Sequence, residues 1–255
     1  MNNDLDVRAD RVVKVYAADR GLHIGPADDR QRREIWCLRD FALGGHVPRL
    51  LNVDAGRITL ERLAGRPIGD EPADFTALGV AWARTLDAGS APPDGFDDGR
   101  GWLATVDYLL DLADAGSDVT RAVAENIRPL RDDVSAWEEP RMVRHDNNPG
   151  NVLIDGDHAW LIDFEMTWPA PRLMQVAAVL DSNPTLNAGP EAARRFLDAV
   201  GIQRTTRLVG LAHLNLLWRW AWNASAFRPG QSTIPPSDGR LLERSKKLKV
   251  LLAAA

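Results

Sequence analysis

The sequence of 255 residues lacks the features that define several classes of protein. It contains one cysteine, Cys37, which excludes a disulfide framework and a metal site made of cysteines alone. It has no uninterrupted run of about 18 apolar residues, so we expect no transmembrane helix. The first residues are polar and acidic, with no apolar stretch behind them. We therefore expect no signal peptide and a cytoplasmic location.

The chain also has no excess of positive charge. Its formal net charge is −5, which argues against nucleic-acid binding through a basic surface. The negative charge is concentrated in residues 67–140, which contain sixteen acids and five bases. Such a block would attract a cationic small molecule, and solvated helix faces explain it equally well. Both interpretations stay open, and the pattern gives no indication of the oligomeric state.

The composition is that of an ordinary globular protein, with 45% hydrophobic and 26% charged residues. The spacing of apolar residues predicts a helix over 28–43. Short β-branched and apolar runs around it predict strands at 12–16, 47–51 and 57–60. A segment with glycine and proline, at 64–67, is then expected to be a linker.

Beyond this linker the pattern is mostly helical. Amphipathic helices are predicted over 75–88 and 102–115, and helices resume from about residue 172. Between them, two short apolar runs at 152–154 and 160–162 predict strands. The expected order is therefore a strand-rich beginning followed by helices, with one strand pair set among them.

The strongest functional signal is the polar loop at 144–151, which reads Arg-His-Asp-Asn-Asn-Pro-Gly-Asn. Its Asp146 and Asn151 are five residues apart, and a second acid, Asp163, follows the next apolar strand. Phosphoryl transfer needs such a set, because one carboxylate orients the attacking hydroxyl while an amide oxygen and another carboxylate hold Mg²⁺. The Pro-Gly pair lets the loop turn, so that the acid and the amide face one site.

A simpler interpretation of this loop is a polar hairpin in which Asp and Asn serve as turn formers. That interpretation explains the loop alone. It does not explain the Asp-Phe-Glu that follows the next strand at the position where a second metal ligand is expected. The pair of motifs therefore favours a phosphoryl-transfer site.

With these motifs the sequence resembles the aminoglycoside phosphotransferase and choline kinase-like family. The catalytic loop of that family reads close to His-Gly-Asp-x-x-Pro-Gly-Asn, and its metal loop reads Ile-Asp-[Trp/Phe]-Glu. The resemblance covers about residues 10–180. It implies an α+β, bilobal, protein-kinase-like fold, with a shortened β-rich N-terminal lobe at 1–63 and a mostly helical C-terminal lobe at 64–255. It also implies ATP, with GTP as the alternative, and Mg²⁺ as cofactors.

The resemblance further implies roles for individual residues. Asp146 corresponds to the catalytic acid, and Asn151 and Asp163 correspond to the metal ligands. Upstream, Lys14 resembles the lysine that grips the α- and β-phosphates, and Glu34 resembles the acid that pairs with it. 

The segment 60–67 resembles the hinge against which the adenine packs. The Glu61 carbonyl and the Leu63 amide would there be the groups that read the base.

The sequence departs from the family pattern at several positions. Residues 1–11 contain no glycine, although the family has a hairpin and a glycine-containing phosphate loop before the lysine strand. Arg144 replaces a histidine, and His145 replaces a glycine. Asn148 replaces a histidine, and Gln175 replaces an aspartate that braces the catalytic loop; a glutamine can still hydrogen-bond to backbone.

The resulting hypothesis is an ATP-dependent O-phosphotransferase that moves the γ-phosphate to a hydroxyl of a small molecule, such as an antibiotic, an amino sugar or a choline-like metabolite. The acidic segment leans towards a cationic acceptor, and neither nucleic acid nor membrane is expected as a partner. The alternative is a pseudokinase-like binding module, which the missing glycine loop motivates. A metallohydrolase is disfavoured, because His145 and His158 are too few and too scattered.

Three tryptophans, Trp218, Trp220 and Trp222, cluster in the last third of the chain. On a helix they spread over more than one face, so core packing is expected for at least one of them. An aromatic face near the acceptor is the alternative for another.

Overall fold

The computed structural model describes residues 3–16, 26–92, 102–133, 140–226 and 237–254. Its first part is a four-stranded antiparallel sheet in the order β1-β2-β4-β3. The strands are β1 (Asn3–Val7), β2 (Arg11–Tyr16), β3 (Leu50–Asp54) and β4 (Arg57–Glu61).

Helix α1 (Ala27–Asp40) packs on one face of this sheet, and a short 3-10 turn, Phe41–Gly44, follows it. The alternation along β2 decides what that face contains, because residues two apart point to the same side of a strand. Lys14 is paired with Ile58 of β4, and Lys14, Tyr16 and Ile58 are all buried. Cys37 of α1 is fully buried, as its apolar surroundings in the sequence predict.

Strand β1 is a feature that the sequence did not predict. It pairs with β2 along its whole length, so one strand precedes the lysine strand and Lys14 lies within the resulting hairpin, opposite Leu5. Its connection to β2 lies beside Arg62, whose side chain donates a hydrogen bond of 3.1 Å to the Arg8 carbonyl. The connection contains no glycine, as expected. The strand was missed because its residues, Asn-Asp-Leu-Asp-Val, include three with low β-propensity.

Two smaller antiparallel sheets lie among the helices and carry the loops of interest. One has the order β5-β7-β8, and the other pairs β6 with β9. The strands are β5 (Arg66–Pro67), β6 (Pro140–Arg144), β7 (Val152–Asp155), β8 (His158–Leu161) and β9 (Thr167–Pro171). β5 lies within the predicted linker at 64–67, and it pairs with β7 of the second part of the chain. The division of the chain at residues 63 and 64 stays a prediction.

The rest of the described chain is helical. The helices are α2 (Pro72–Ala88), α3 (Trp102–Asp114), α4 (Asp118–Ala124), α5 (Arg172–Leu180), α6 (Asn183–Ala188), α7 (Pro190–Val200), α8 (Thr206–Ala226) and α9 (Asp238–Ala254). α2 and α7 approach closely at Gly79, where an added Cβ would lie 2.6 Å from the Ala199 side chain. None of the described helices combines the length and the hydropathy needed to cross a bilayer. The cytoplasmic location stays a prediction.

Candidate active site

A cavity of about 590 Å³ lies between the first sheet and the loops that follow β6 and β8. All the site residues predicted from the sequence line this one cavity: Lys14, Glu34, Glu61, Leu63, Asp146, Asn151 and Asp163. The structure thus brings together groups that are up to 149 residues apart in the chain.

Local pairing explains how the two polar loops come to lie side by side. Strand β6 ends at Arg144, directly before the first loop, and it pairs with β9, which begins after the second loop. Strands β7 and β8 form a tight hairpin between the loops, with Gly156 at φ +62° in its turn. A glycine takes that backbone conformation without a steric penalty. The first loop leaves β6 at Arg144 and the second loop enters β9 at Thr167, so both lie at the same end of this strand pair.

Asp146 lies in the first loop and is held by its own segment. The Asn151 side-chain amide donates a hydrogen bond of 3.1 Å to the Asp146 carbonyl. Burial, followed by the nearby charge of Asp163, raises the pKa of Asp146, while Arg144 and Arg219 act in the opposite direction. A carboxylate with a raised pKa is a better acceptor for a hydroxyl proton than an exposed one.

Arg144 has a structural role that the sequence left open. Its side chain is fully buried, and its guanidinium donates to the Asn151 carbonyl at 2.9 Å and to the Ile162 carbonyl at 2.7 Å. It also donates to the Asn147 side-chain oxygen at 3.1 Å. Burial lowers the pKa of Arg144 to about 10, so the cation persists at neutral pH. One arginine thus ties the polar loop at 144–151 to the segment that carries Asp163.

Gln175, on α5, holds the start of the same loop. Its side-chain oxygen accepts a hydrogen bond of 2.7 Å from the Arg144 backbone N–H, and its amide nitrogen donates to the Arg144 carbonyl at 3.3 Å. An amide can make both bonds at once because it carries a donor and an acceptor. The glutamine therefore braces the loop without the charge of an aspartate.

Asn151 and Asp163 offer oxygen atoms that suit Mg²⁺. Because the amide nitrogen of Asn151 faces the Asp146 carbonyl, its side-chain oxygen is left for a cation. Among the non-glycine residues that the structure describes, Asp163 alone has a positive φ, at 64°. That conformation costs about 1–2 kcal/mol for an L-residue, less for Asp, and is often found at functional sites. Since Mg²⁺ prefers oxygen ligands and few protein contacts, the residues present fit this ion.

Lys14 lies among three carboxylates. Its Nζ is 2.6 Å from Glu34 Oε2, 2.7 Å from Asp163 Oδ1 and 3.9 Å from Glu165 Oε2. Burial alone lowers the pKa of Lys14, but the three carboxylates outweigh it and raise the pKa above its ordinary value. The amine therefore stays charged, and it is shared between the partner acid and the proposed metal ligand.

Glu34 accepts hydrogen bonds from three donors, two on β2 and one in the loop after β8. Besides Lys14, the Tyr16 hydroxyl donates to it at 2.5 Å and the Phe164 backbone N–H at 3.4 Å. Burial raises the pKa of Glu34, and the charge of Lys14 opposes that rise. Sequence reasoning missed Tyr16, although a signal was present. Tyr16 is two residues after Lys14 on a strand, so the two side chains share a face.

Replacing Tyr16 with phenylalanine should destabilise the protein. The change removes one hydroxyl and leaves the buried Glu34 carboxylate with one donor fewer, which we expect to lower the free energy of unfolding by about 1–3 kcal/mol. Urea unfolding measures this loss. Tyr108→Phe is a matched control, because the only other tyrosine is 55% exposed. Equal midpoints for both variants would contradict a supporting role for the Tyr16 hydroxyl.

Glu165 is a second residue that sequence reasoning did not single out. Arg30 of α1 contacts its carboxylate at 3.3 Å, and Arg33 of the same helix donates to its backbone carbonyl at 3.0 Å. The two arginines are one turn apart on the helix, so they reach the same partner. Helix α1 thereby fixes the loop of Asp163 as well as the acid that pairs with Lys14.

The hinge segment lies at the other end of the cavity. Glu61 ends β4, and its backbone N–H donates to the Arg49 carbonyl at 3.0 Å. Part of the cavity wall is apolar and is formed by β1, β2, β7 and the residue after β8: Leu5, Val7, Val12, Leu153 and Ile162. This slot would suit a flat aromatic base, and the base-reading roles of Glu61 and Leu63 stay predictions.

The face of α8 that contacts the polar loop at 144–151 is aromatic. Trp218 lies 4.8 Å from the His145 ring and 5.9 Å from Trp168, measured between ring centroids, and Trp222 stacks on it at 6.2 Å. Trp218 and Trp220 are both partly buried against the hydrophobic core. Packing therefore accounts for these two, and contact of an aromatic ring with an acceptor stays a prediction.

The acidic segment at 67–140 does not line the cavity at any described position; 93–101 and 134–139 lie outside the described residues. Many of its described acids are instead paired with arginines, and most of these acids are exposed, although Asp74 is buried. These pairs are Asp74–Arg66, Asp87–Arg172, Asp107–Arg131, Asp114–Arg128 and Asp133–Arg207. The described acids thus support the interpretation as helix faces rather than as a trap for a cationic acceptor.

Comparison with family models and with curated protein sequences gives no match. Solved structures do match. A choline/ethanolamine kinase family protein from Mesorhizobium loti has 18% identity and a TM-score of 0.68, over 100% of this chain and 89% of that chain. Choline kinase LicA from Streptococcus pneumoniae has 13% identity and a TM-score of 0.59, over 100% and 90%. ADP-bound aminoglycoside phosphotransferase APH(2″)-Ib has 14% identity and a TM-score of 0.57, over 100% and 91%.

These similarities cover the whole chain and bear on its architecture. The predicted α+β bilobal fold, with small antiparallel sheets and a mostly helical second part, is confirmed. The chain has the kinase-like fold that is also found in choline kinase family proteins and aminoglycoside phosphotransferases.

Proposed function

We propose that the protein is an ATP-dependent O-phosphotransferase that moves the γ-phosphate to a hydroxyl of a small molecule. The observation that carries the proposal is the convergence of Asp146, Asn151, Asp163 and Lys14 on one cavity. Phosphoryl transfer requires that the reacting groups are positioned and that the charge on the phosphoryl group is stabilised. These residues supply an acid for the acceptor hydroxyl, two oxygen ligands for Mg²⁺ and a lysine held in place for the phosphates.

Each residue would have a separate task. Asp146 would orient the acceptor hydroxyl and receive its proton as the new O–P bond forms and the bond to the leaving diphosphate breaks. Lys14, fixed by Glu34, would contact the phosphates. Asn151 and Asp163 would hold Mg²⁺, which neutralises phosphate charge when bound.

The nucleotide would lie along the cavity, with its base in the apolar slot near Glu61 and Leu63. ADP is bound in the similar APH(2″)-Ib structure, which supports an adenine nucleotide. GTP is the alternative. The cavity of about 590 Å³ is of the size that small-molecule and cofactor sites have.

Magnesium-dependent nucleotide binding is the first test. We expect MgATP at about 100 times its Kd to raise the unfolding temperature by about 5–10 °C. Asp163→Asn should lose most of this shift, because a neutral amide is a weaker Mg²⁺ ligand than a carboxylate. Asp157→Asn, at the exposed turn of the neighbouring hairpin, is the matched control. Absence of any shift at millimolar MgATP would reject the nucleotide site.

A binding module without efficient catalysis is the second candidate. The glycine-free connection of β1 and β2 favours it, because backbone N–H groups of a glycine loop ordinarily help to hold the phosphates. The two candidates differ in one measurement. The protein is incubated with labelled ATP and a panel of acceptors. If it is an enzyme, the mass of one acceptor should increase by that of a phosphate group; if it is a binding module, no acceptor should change in mass.

The panel should contain cationic, neutral and anionic hydroxyl compounds. An antibiotic, an amino sugar or a choline-like metabolite remains the proposed acceptor class. Because many described acids of 67–140 are ion-paired away from the cavity, the case for a cationic acceptor now depends on the aromatic rings near His145. The charge of the preferred compound will show whether those rings matter.

A further inference from the structure

A buried chain of hydrogen bonds joins the catalytic loop to the C-terminal helices. His145, which precedes Asp146, contacts the side-chain oxygen of Asn215 on α8 through its Nδ1, at 3.1 Å. The amide nitrogen of Asn215 donates to Asp181 Oδ2, also at 3.1 Å. His145, Asn215 and Asp181 are each between 0% and 2% exposed. Buried polar groups in such a chain are satisfied only in one arrangement.

The far end of the chain is anchored by two arginines. Arg219 Nη1 lies 3.5 Å from Asp181 Oδ2, and Arg244 Nη2 lies 3.2 Å from Asp181 Oδ1. Asp181 is the residue that follows α5, whose Gln175 braces the same catalytic loop. The acid is therefore held by cations from both α8 and α9.

The direction of the bonds follows from the chemistry of the three groups. A carboxylate can only accept, so the NH₂ of Asn215 must face Asp181 and its carbonyl oxygen must face His145. That oxygen is an acceptor, so the proton must be on Nδ1 of the imidazole. The residue that determines the tautomer is thus 70 positions away from His145 in the chain.

We propose that Asn215 is a positioning residue for the phosphotransfer proposed above, because it holds His145 as the Nδ1–H tautomer and so fixes the backbone beside Asp146. Asn215 lies outside both sequence motifs. Its effect on catalysis rests on the proposed function, whereas the tautomer of His145 does not depend on that function.

Packing shows why the ring orientation matters for Asp146. The His145 ring lies between Trp168, at 5.7 Å, and Trp218, at 4.8 Å, measured between centroids. The His145 backbone N–H donates to the Met166 carbonyl at 3.0 Å, which ties the same residue to the segment after Asp163. Arg144 holds the loop on one side of Asp146, and the bond of His145 to Asn215 holds it from the side of α8.

The tautomer can be measured directly by ¹⁵N NMR of the imidazole rings in the full-length protein. The chain has five histidines, and His145→Gln identifies the signals of His145. We expect the wild-type ring to be neutral with its proton on Nδ1. In Asn215→Leu the acceptor is lost, so the population should shift towards Nε2–H. Asn223→Leu is the matched control, since Asn223 is exposed on the same helix, and it should leave the spectrum unchanged.

Kinetics supply the second readout. Asn215→Leu should lower kcat by roughly tenfold or more, since small displacements of a catalytic group cost that much. The KM for MgATP should stay within about twofold, because Asn215 does not line the nucleotide cavity. Asn223→Leu should match the wild type in both.

The two readouts separate the possible failures. A wild-type His145 with its proton on Nε2, or an Asn215→Leu variant with the wild-type tautomer, would overturn the inference whether or not the protein transfers phosphate. Equal kcat in a folded Asn215→Leu variant with a changed tautomer would overturn the positioning role. Absence of transfer to every acceptor by the wild-type protein would reject the proposed function and leave the tautomer assignment to the NMR result.

Discussion

Replacing Asp146 with asparagine should reduce phosphotransfer by roughly 10²–10⁴-fold while the protein stays folded and binds MgATP. The amide has nearly the shape of the carboxylate but cannot accept the proton of the attacking hydroxyl. In the proposed mechanism the nucleotide and its Mg²⁺ would be held by other residues of the cavity, Lys14, Asn151 and Asp163, which the substitution leaves in place. Turnover is measured by the mass increase of the acceptor, and binding by the MgATP shift in unfolding temperature.

The stability of this variant provides a second check. Burial raises the pKa of Asp146, which means that the folded protein disfavours its charged form relative to water. At a pH where the carboxylate is ionised, the neutral amide should therefore leave the unfolding temperature unchanged or raise it. Asp157→Asn, in the exposed turn, is the control for both measurements. Turnover equal to that of the control would exclude Asp146 as the catalytic acid.

A part of this site could be predicted from the sequence because its geometry is local. Asp146 and Asn151 belong to one loop, and Asp163 follows the hairpin that begins where that loop ends. Spacing alone therefore places these three side chains near one another. Lys14 and Glu34 were assigned only through the resemblance to a family, since the distance between them along the chain carries no geometric information.

The remaining contacts depend on tertiary packing that no local pattern encodes. The sequence was enough to predict that Tyr16 shares a strand face with Lys14. The contact between Tyr16 and Glu34 depends on how α1 packs against that strand. The bond between His145 and Asn215 exists because α8 crosses the catalytic loop. Strand β1 is held by pairing with β2 and not by propensity, so its sequence resembles a loop.

The charge pattern of the sequence also says little about the acceptor, because it does not show where each charged side chain points. The net negative charge of 67–140 is a property of the chain, whereas attraction of a ligand depends on where each acid points. In the structure Asp107 and Asp114 of α3 face Arg131 and Arg128, and exposed pairs of this kind interact weakly and over short range. Their charges are directed to neighbours on the surface rather than into the cavity.

The second large effect concerns stability and involves Arg144. Its guanidinium is fully buried and satisfies the carbonyl groups of Asn151 and Ile162, which belong to two different segments. It also lies over the rings of Trp82 and Phe164, at 5.1 Å and 5.4 Å from their centroids. The Asn151 carbonyl would keep the Ile162 backbone N–H as a donor, at 3.1 Å. Removal of Arg144 would still take its donor from the Ile162 carbonyl and from the Asn147 side-chain oxygen, and would leave a cavity between aromatic rings. Both effects cost free energy.

Arg144→Ala should therefore lower the free energy of unfolding by about 3–5 kcal/mol, as measured by urea unfolding, because an unsatisfied acceptor costs about 1–3 kcal/mol and the cavity adds to it. The stability of Arg144→Lys should lie between that of the wild type and that of Arg144→Ala, since a single ammonium cannot reach acceptors that a planar fork reaches together.

Arg194→Ala is the matched control. Arg194 pairs with Glu191 and Asp198 on the exposed face of α7, and its loss should cost less than about 1 kcal/mol. Similar midpoints for Arg144→Ala and Arg194→Ala would show that the two loops are held together by something other than this arginine. A large loss limited to Arg144 would show that this arginine holds the two loops together from within the core, through its bonds to the Asn151 and Ile162 carbonyl groups.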